Sequence, residues 1–351
     1  MNNLEKLKEL VLKLKDEKRL DKDEWILLIE SQSPELMEFA SEHARDVREA
    51  HYGKDVYVRG LIEISNYCKN DCYYCGIRKS NLNAHRYRLS KETILDCCRE
   101  GHKLGYRTFV MQGGEDMHYS DDLVCDIVSS IKAEFQDSAV TLSIGERSRE
   151  SYARFKEAGA DRYLLRHETA CEAHYRKLHP DELTLANRKR CLYDLKELGF
   201  QVGAGFMVGA PYQTVDNLAE DMIFLKELSP HMVGIGPFIP HHDTPFKDMP
   251  AGSAEQTLYF LSLTRLMLPS VLLPATTALG TISDNGRELG MLAGANVVMP
   301  NLSPAEVRGD YLLYDNKLCT GDEAAQNLAN LNKRMESVGF NISMTRGDWK
   351  E

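Results

Sequence analysis

Short apolar runs alternate with amphipathic segments along most of the chain. From residue 56 onward there are eight such runs, rich in β-branched residues, with helical patterns between most of them. They occupy residues 56–65, 108–115, 139–146, 162–168, 201–209, 232–240, 271–278 and 295–300. Nearly continuous apolar strands separated by helices are typical of parallel sheets that are covered on both faces. The pattern therefore predicts an α/β fold, a (βα)8 barrel of the TIM type.

The first fifty residues have the spacing of helices rather than strands. Helices are expected over residues 4–14, shortly after Asp21 and over residues 34–50, where Ser33 suits the N-cap and Pro34 the first turn. No low-complexity linker interrupts the sequence. We therefore expect an N-terminal helical extension (1–52), a barrel (53–320) with a long loop at 65–90, and a C-terminal helical extension (321–351) that includes a helix.

The overall composition narrows the class of protein. Of the 351 residues, 43% are hydrophobic and 27% are charged, which is ordinary for a soluble globular protein. No apolar run approaches the roughly 20 residues of a membrane helix, and the N-terminus lacks the apolar core of a secretory signal. A formal net charge of −10 argues against a general nucleic-acid binder. We therefore expect a cytoplasmic protein with no membrane or nucleic-acid partner.

Polar side chains follow several of the predicted strands, at the end of a barrel where chemistry takes place. They are Gln112, Glu115, Ser143, Glu146, Arg166, Glu168, His241, His242, Thr276 and Thr277. Charges at 166 and 168 would be costly beside a buried strand unless they contact a ligand or each other, so a local ion pair remains an alternative. Glycines such as Gly203 and Gly205 are expected to leave room inside the barrel.

Three of the nine cysteines form a compact motif. Cys68, Cys72 and Cys75 have the spacing Cx3Cx2C directly after the first predicted strand. A structural zinc site needs a fourth ligand, and the nearest candidate, His85, lies ten residues further on. Three thiolates on a short loop suit a cubane iron-sulfur cluster in which one iron keeps an open position.

The motif resembles the hallmark of the radical S-adenosylmethionine (SAM) superfamily, including an aromatic residue, Tyr74, before the last cysteine. The resemblance implies a 4Fe-4S cluster that cleaves SAM to methionine and a 5'-deoxyadenosyl radical. The stretch MQGGED is similar to the GGE motif of that superfamily, in which Gly113 and Gly114 would approach the SAM amino group and Glu115 would hold the loop. An ordinary glycine turn is the alternative.

Longer stretches resemble the HydE family of FeFe-hydrogenase maturases within this superfamily. They are RYLLRHETA, GAGFMVG followed by PYQT, HMVGIGPFIPHHDTP, LLPATTALGTI and GANVVMPNLSP, and the likeness spans residues 50 to 320 or so. It implies an organometallic substrate, an iron with CO, cyanide and cysteine, supplied by the maturase HydG, with a product passed to the scaffold HydF. An electron donor such as ferredoxin or flavodoxin is implied as well.

The relatives leave alternatives open. Biotin synthase has a cluster cysteine where this chain has Gly203, so sulfur insertion is not expected. A methylornithine synthase-like radical SAM mutase acting on an amino acid is harder to exclude, and a non-catalytic iron-sulfur or zinc barrel is a third possibility. Some HydE members hold an auxiliary cluster. Cys319 aligns with its first ligand, but the following residues supply no others, so we expect one cluster only.

The resemblance also implies roles for individual residues. Cys68, Cys72 and Cys75 would ligate the cluster. The positions that match the surroundings of SAM are Tyr74, Gln112, Gly113, Gly114, Glu115, Thr141, Ser143, Glu168 and Arg188. The positions that match the inner cavity, where the radical meets substrate, are Arg166, Met207, Met232, Thr276, Thr277 and Tyr311. A cationic arginine with hydroxyl groups suits a small anionic substrate.

Overall fold

The computed structural model describes residues 3–319 and 325–350. The helices are α1 (Asn3–Glu17), α2 (Lys22–Glu30), α3 (Pro34–Tyr52), α4 (Lys91–Lys103), α5 (Asp121–Glu134), α6 (Arg149–Glu157), α7 (Glu172–Leu178), α8 (Leu185–Glu197), α9 (Val215–Leu228), α10 (Ala254–Met267), α11 (Thr277–Ile282), α12 (Gly286–Leu292) and α13 (Leu328–Ser337). The strands are β1 (Asp55–Val58), β2 (Gly60–Ser65), β3 (Thr108–Gly113), β4 (Ala139–Ser143), β5 (Arg162–Leu164), β6 (Gln201–Ala204), β7 (Met207–Val208), β8 (Met232–Val233), β9 (Gly236–Pro237), β10 (Val297–Val298) and β11 (Asn341–Ser343).

Helices α1 to α3 form a layer at the N-terminus. The Ser33 hydroxyl accepts a hydrogen bond from the Leu36 amide, and Pro34 occupies the first turn of α3, so the predicted cap is confirmed. Helix α3 packs against α10, and α2 packs against α9. The layer therefore covers the helices that follow the later strands of the barrel.

A parallel sheet forms the centre of the fold, which confirms the α/β prediction. Its strand order is β2-β3-β4-β5-β6-β8. Beyond β8 the regular ladder gives way to single parallel bridges, which join Met232 to Leu272, Pro274 to Val297 and Asn301 back to Leu61. The ladder is thus discontinuous at this seam, while the eight predicted runs occupy successive positions around a barrel-like ring.

Several predicted strands are shorter than their apolar runs. Residues 271–278 make only single bridges, because Pro274 has no amide hydrogen to donate and the Thr276 hydroxyl caps α11. The run 201–209 is divided into β6 and β7 at Gly205, whose φ is +149°. A Cβ there would lie 2.0 Å from the carbonyl oxygen of Gly234, so this glycine permits close backbone packing and the expectation that it leaves room is wrong.

The C-terminal segment contains a strand that the sequence pattern did not predict. Helix α13 is followed by β11, which pairs in parallel with β1. The tail then covers the amino-terminal ends of the strands, where Arg162 donates to the Arg346 carbonyl at 2.8 Å and to Asp348 at 2.6 Å. The predicted boundary at residues 320 and 321 lies outside the described residues. Within the described ranges, no helix is long and apolar enough to span a membrane.

Candidate active site

The three-cysteine motif lies on an ordered loop between β2 and α4, residues 66–90, which we call the cluster loop. Asn66 fixes its base by donating to the carbonyls of His85 and Asp310, each at 2.7 Å. Arg86 fixes its middle by donating to the carbonyls of Ile77, at 2.9 Å, and of three further residues. The loop is therefore held by its own polar contacts.

The three thiols influence one another inside this loop. Burial raises the pKa of Cys68, Cys72 and Cys75, that of Cys75 to about 12, and for Cys72 the neighbouring sulfurs raise it further. Such thiols release their protons only when a cation compensates the negative charge, as iron does. His85, the alternative zinc ligand, is exposed and bonds Asp310 at 2.8 Å. The donor set therefore fits a cluster that takes three protein ligands.

Tyr74, between the second and third cysteines, is fixed by a buried histidine. The His179 Nδ1 lies 3.0 Å from the Tyr175 carbonyl, which only accepts, so Nδ1 carries the proton and Nε2 is free to accept. The Tyr74 hydroxyl lies 3.2 Å from that Nε2 and donates to it. Burial lowers the pKa of His179 to about 3, so the ring stays neutral. Sequence reasoning missed His179, since the two residues are 105 positions apart.

The GGE motif packs directly against the cluster loop. A Cβ on Gly114 would lie 2.2 Å from the Tyr67 carbonyl oxygen and 2.8 Å from the Cys68 Cβ, so only glycine fits. Glu115 accepts the Glu146 amide at 2.9 Å, and its other oxygen lies 3.2 Å from the Lys69 ammonium. Gly114 thus has a packing role apart from any contact with SAM, and Glu115 ties the loop to the neighbouring strand end.

Two further predicted SAM residues and one predicted cavity residue are adjacent. Gln112 and Ser143 are register partners on β3 and β4. The Gln112 amide nitrogen lies 3.4 Å from the Tyr311 hydroxyl, which is buried. Gln112, Ser143 and Tyr311 therefore share the carboxyl-terminal side of the sheet.

The charged side chains at the strand end 166–168 form an ion pair, but some of their polar atoms lack hydrogen bonds to the described residues. Arg166 Nη2 lies 3.1 Å from Glu168 Oε2, which is the local ion pair given above as the alternative. The angles do not make a hydrogen bond, so Arg166 Nε and Nη2 and Glu168 Oε2 are buried without a hydrogen-bond partner among the described residues. Because buried polar atoms are normally satisfied, this arrangement suits a polar ligand that is held between the two side chains.

The backbone at this strand end is strained. Glu168 has φ +65°, in the left-handed region that non-glycine residues rarely adopt. His167 points away from Arg166 and Glu168 to the fully buried Asp221, with 3.3 Å between His167 Nε2 and Asp221 Oδ1. The Ala170 amide donates to the same Asp221 oxygen at 2.5 Å. Asp221 on α9 thus anchors the segment on both sides of Glu168.

Arg188, the predicted partner of the SAM carboxylate, projects from α8 into a polar cluster. Its Nε lies 2.5 Å from Glu146 Oε1, and its Nη1 donates to the Arg166 carbonyl at 2.8 Å. Only 9% of each of the Arg188 and Glu146 side chains is exposed. Arg188 therefore links the strand ends after β4 and β5.

Other predicted residues lie elsewhere in the barrel. Thr141 and Met232 line a small cavity of about 10 Å³, together with Arg59 and Arg162 at the amino-terminal ends of the strands. The Thr141 hydroxyl has no hydrogen-bond partner in the described parts of the chain, and Arg59 Nη1 lies 3.0 Å from the Met232 sulfur. Thr141 and Met232 therefore do not lie beside the cluster loop.

Three predicted cavity residues have structural contacts of their own. Met207 packs in an apolar cluster with Leu178 and Phe238, against which Tyr74 also packs. Thr276 uses its hydroxyl to cap α11, and Thr277 is the first residue of that helix. Met207 therefore lies beneath the cluster loop, and the two threonines lie where the seam of the sheet meets α11.

A buried ion pair that the sequence analysis missed supports the cluster loop. Glu63 on β2 is fully buried and contacts the Lys317 ammonium at 2.7 Å and the Asn301 amide at 2.9 Å. Four residues before Lys317, the Leu313 carbonyl accepts the Gly76 amide at 2.8 Å, directly after Cys75. A charged residue within the otherwise apolar run 60–64 was the signal that could have revealed Glu63.

Comparison with known proteins assigns the chain to a family. Residues 62–225 match the Radical SAM superfamily. The chain is 48% identical over 296 residues to the [FeFe] hydrogenase maturase subunit HydE of Thermotoga maritima, covering 84% of each chain. It is 27% identical to 3-methylornithine synthase of Methanosarcina acetivorans, over 92% of this chain and 90% of that one. The crystal structure of methylornithine synthase (PylB) has the same fold, with a TM-score of 0.80 at 24% identity, over 95% of this chain and 97% of that one. The chain is therefore an enzyme that belongs to the HydE family of the radical SAM superfamily.

Proposed function

We propose that this enzyme cleaves SAM reductively during assembly of the FeFe-hydrogenase H-cluster, and that its substrate is a cysteine-bound iron carbonyl cyanide complex. The observation that carries the proposal is the pairing of two features. Three cysteines leave a cluster one ligand short, and nearby strand ends hold buried polar atoms that have no hydrogen-bond partner within residues 3–319 and 325–350. The likeness to the T. maritima maturase supports the pathway.

The cluster and SAM would be held by separate groups of residues. Cys68, Cys72 and Cys75 would bind the 4Fe-4S cluster, which, when bound, supplies the electron that splits SAM into methionine and a 5'-deoxyadenosyl radical. Glu168 would accept hydrogen bonds from the ammonium or ribose hydroxyls of SAM, and Arg188 would bind its carboxylate. The remaining SAM positions in this proposal are Tyr74, Gln112, Gly113, Gly114, Glu115 and Ser143. Thr141 is left out, because it lines the small cavity away from the cluster loop.

The substrate would lie further inside the barrel. Arg166 would bind an anionic iron complex through the nitrogen atoms that lack partners. Met207, Thr276, Thr277 and Tyr311 would shape the cavity. Met232 is left out, because it lines the separate small cavity at the amino-terminal ends of the strands. HydG would supply the complex, HydF would receive the product, and a protein such as ferredoxin or flavodoxin would supply the electron.

Anaerobic reconstitution tests the proposal in two steps. The reconstituted protein, reduced with dithionite, should release 5'-deoxyadenosine from SAM, and Cys68→Ser should lower its iron content. Cys125→Ser is the matched control, because Cys125 lies on α5 outside the cluster loop. In the second step, consumption of the iron complex made by HydG is followed. An unchanged iron content in Cys68→Ser, together with no 5'-deoxyadenosine from the wild type, would contradict the cofactor assignment.

An amino-acid mutase of the methylornithine synthase kind is the second candidate. It is favoured by the likeness to 3-methylornithine synthase, which extends over 92% of this chain. The same reconstituted protein is therefore incubated with lysine as well as with the iron complex. Formation of methylornithine without consumption of the iron complex would reverse the choice of substrate.

A further inference from the structure

The surface around Cys68 has an unusual share of exposed apolar side chains. Seven large apolar side chains are exposed in the described parts of the chain, and three of them are Tyr67, Leu82 and Met117, with Leu82 at 92%. Tyr67 precedes Cys68, and its backbone packs on Gly114, three residues before Met117. Exposed apolar groups that cluster in one place indicate an interaction site.

Two arginines join these side chains into one surface. The guanidinium groups of Arg88 and Arg86 lie 3.9 Å and 5.9 Å from the centre of the Tyr67 ring. Arg86 also donates to the Asn81 carbonyl at 2.9 Å, next to Leu82. We name this surface the cluster-loop face and define it by Tyr67, Lys69, Lys79, Leu82, Arg88 and Met117.

The cluster-loop face is positively charged, although the chain has a net charge of −10. Lys69 and Arg88 are 47% and 39% exposed, whereas their partners Glu115 and Asp116 are 8% and 3% exposed and lie beneath them. Lys79 is exposed as well. Asp71 is the single carboxylate of residues 66–90, and it is paired with Arg78 at 2.7 Å. These three cations therefore point outward, while the two acids that pair with Lys69 and Arg88 are covered.

We propose that the cluster-loop face is the docking surface for an acidic one-electron carrier protein of the flavodoxin type. The inference rests on the proposed function, because each reductive cleavage of SAM needs one electron from outside the enzyme. In each encounter one electron leaves the reduced flavin and enters the oxidised cluster, and no bond forms or breaks. Opposite charges speed the encounter, and a small apolar centre with a charged rim suits a brief complex.

The double variant Lys79→Glu/Leu82→Ala tests the docking surface. Both side chains are exposed, and neither belongs to the proposed cofactor or substrate site. The control is Lys6→Glu/Leu12→Ala on α1, which makes the same changes of charge and residue type at exposed positions. Binding of immobilised flavodoxin and stopped-flow bleaching of the cluster by reduced flavodoxin are measured for both variants and the wild type.

We expect the cluster-loop variant to bind flavodoxin more weakly, on the order of tenfold, and to accept its electrons correspondingly more slowly. Added salt should weaken binding by the wild type more than binding by this variant. The rate of 5'-deoxyadenosine formation with dithionite should stay within twofold. Flavodoxin binding and reduction within twofold of the wild type, or an equal loss in the control, would overturn the docking surface. If the wild type with dithionite releases no 5'-deoxyadenosine, the proposed function is overturned instead. The comparison of flavodoxin binding between the variants still tests the docking surface in that case.

Discussion

Replacing Lys317 with methionine is expected to destabilise the protein strongly. The change removes the ammonium group 2.7 Å from Glu63, whose side chain is fully buried, and leaves Asn301 as the hydrogen-bond donor to that carboxylate. Removing one partner of a buried ion pair costs about 3–5 kcal/mol, because an uncompensated charge stays in the interior. With 6% of the Lys317 side chain exposed, solvent screening reduces this only slightly.

The matched comparison is the double variant Glu63→Gln/Lys317→Met. Glutamine can still accept from Asn301 but has no charge to compensate, so the double variant should recover most of the lost free energy of unfolding. Urea unfolding, followed by circular dichroism under argon, gives the free energy of unfolding of four proteins. These are the wild type, Glu63→Gln, Lys317→Met and the double variant. A loss below 1 kcal/mol in Lys317→Met, or a double variant as unstable as that single one, would refute the reasoning.

The same variants report on the cluster loop. The segment that ends at Lys317 accepts the Gly76 amide through the Leu313 carbonyl at 2.8 Å, next to Cys75. Lys317→Met should therefore also retain iron less well after reconstitution, and the double variant should regain it. If iron retention does not change in parallel with the free energy of unfolding across these variants, the ion pair does not support the cluster loop.

Three further changes test other contacts. Gly114→Ala should displace the cluster loop and lower iron content after reconstitution, since the added Cβ would lie 2.2 Å from the Tyr67 carbonyl; full iron content would contradict this. In a double-mutant cycle, Tyr74→Phe and His179→Leu should show a coupling of about 1 kcal/mol in the free energy of unfolding, and simple additivity would disprove the hydrogen bond. The pKa of His179 is about 3 in the folded state and near 6.5 in the unfolded state. Between pH 6.5 and pH 3 the unfolded state therefore binds one proton more than the folded state, so lowering the pH destabilises the fold. Between pH 6.5 and 4, stability of the wild type should therefore fall by about 1.4 kcal/mol per pH unit more than that of His179→Leu, measured by urea unfolding of the cluster-free protein; parallel curves would refute it.

The order of strands and helices could be predicted because it is encoded locally. The eight apolar runs and the cap at Ser33 depend on neighbouring residues, and each has a counterpart in the structure. The extent of the strands could not be predicted from apolarity, because residues 271–275 are apolar and yet make only single bridges. A buried segment is apolar whether or not its backbone joins a ladder.

The sequence could predict which residue types form the candidate site, but not most of the contacts between them. A motif places three cysteines together through spacing alone, whereas the bond from Tyr74 to His179 depends on how α7 packs against the cluster loop. The anchoring of the strained Glu168 by Asp221 likewise joins elements that are distant in sequence. Such contacts arise only when the sheet brings these elements together, so the predicted roles at these positions remain proposals.

The pairing of β11 with β1 has a consequence for the order of folding during synthesis. Strand β1 has β10 on one side and β11 on the other, and residues 341–343 are synthesised after most of the chain. Until they appear, that side of β1 presents unpaired backbone groups, which are a template for pairing with another chain. A chain that ends at residue 340 is therefore expected to aggregate more readily and to bind chaperones more strongly than the chain that includes β11.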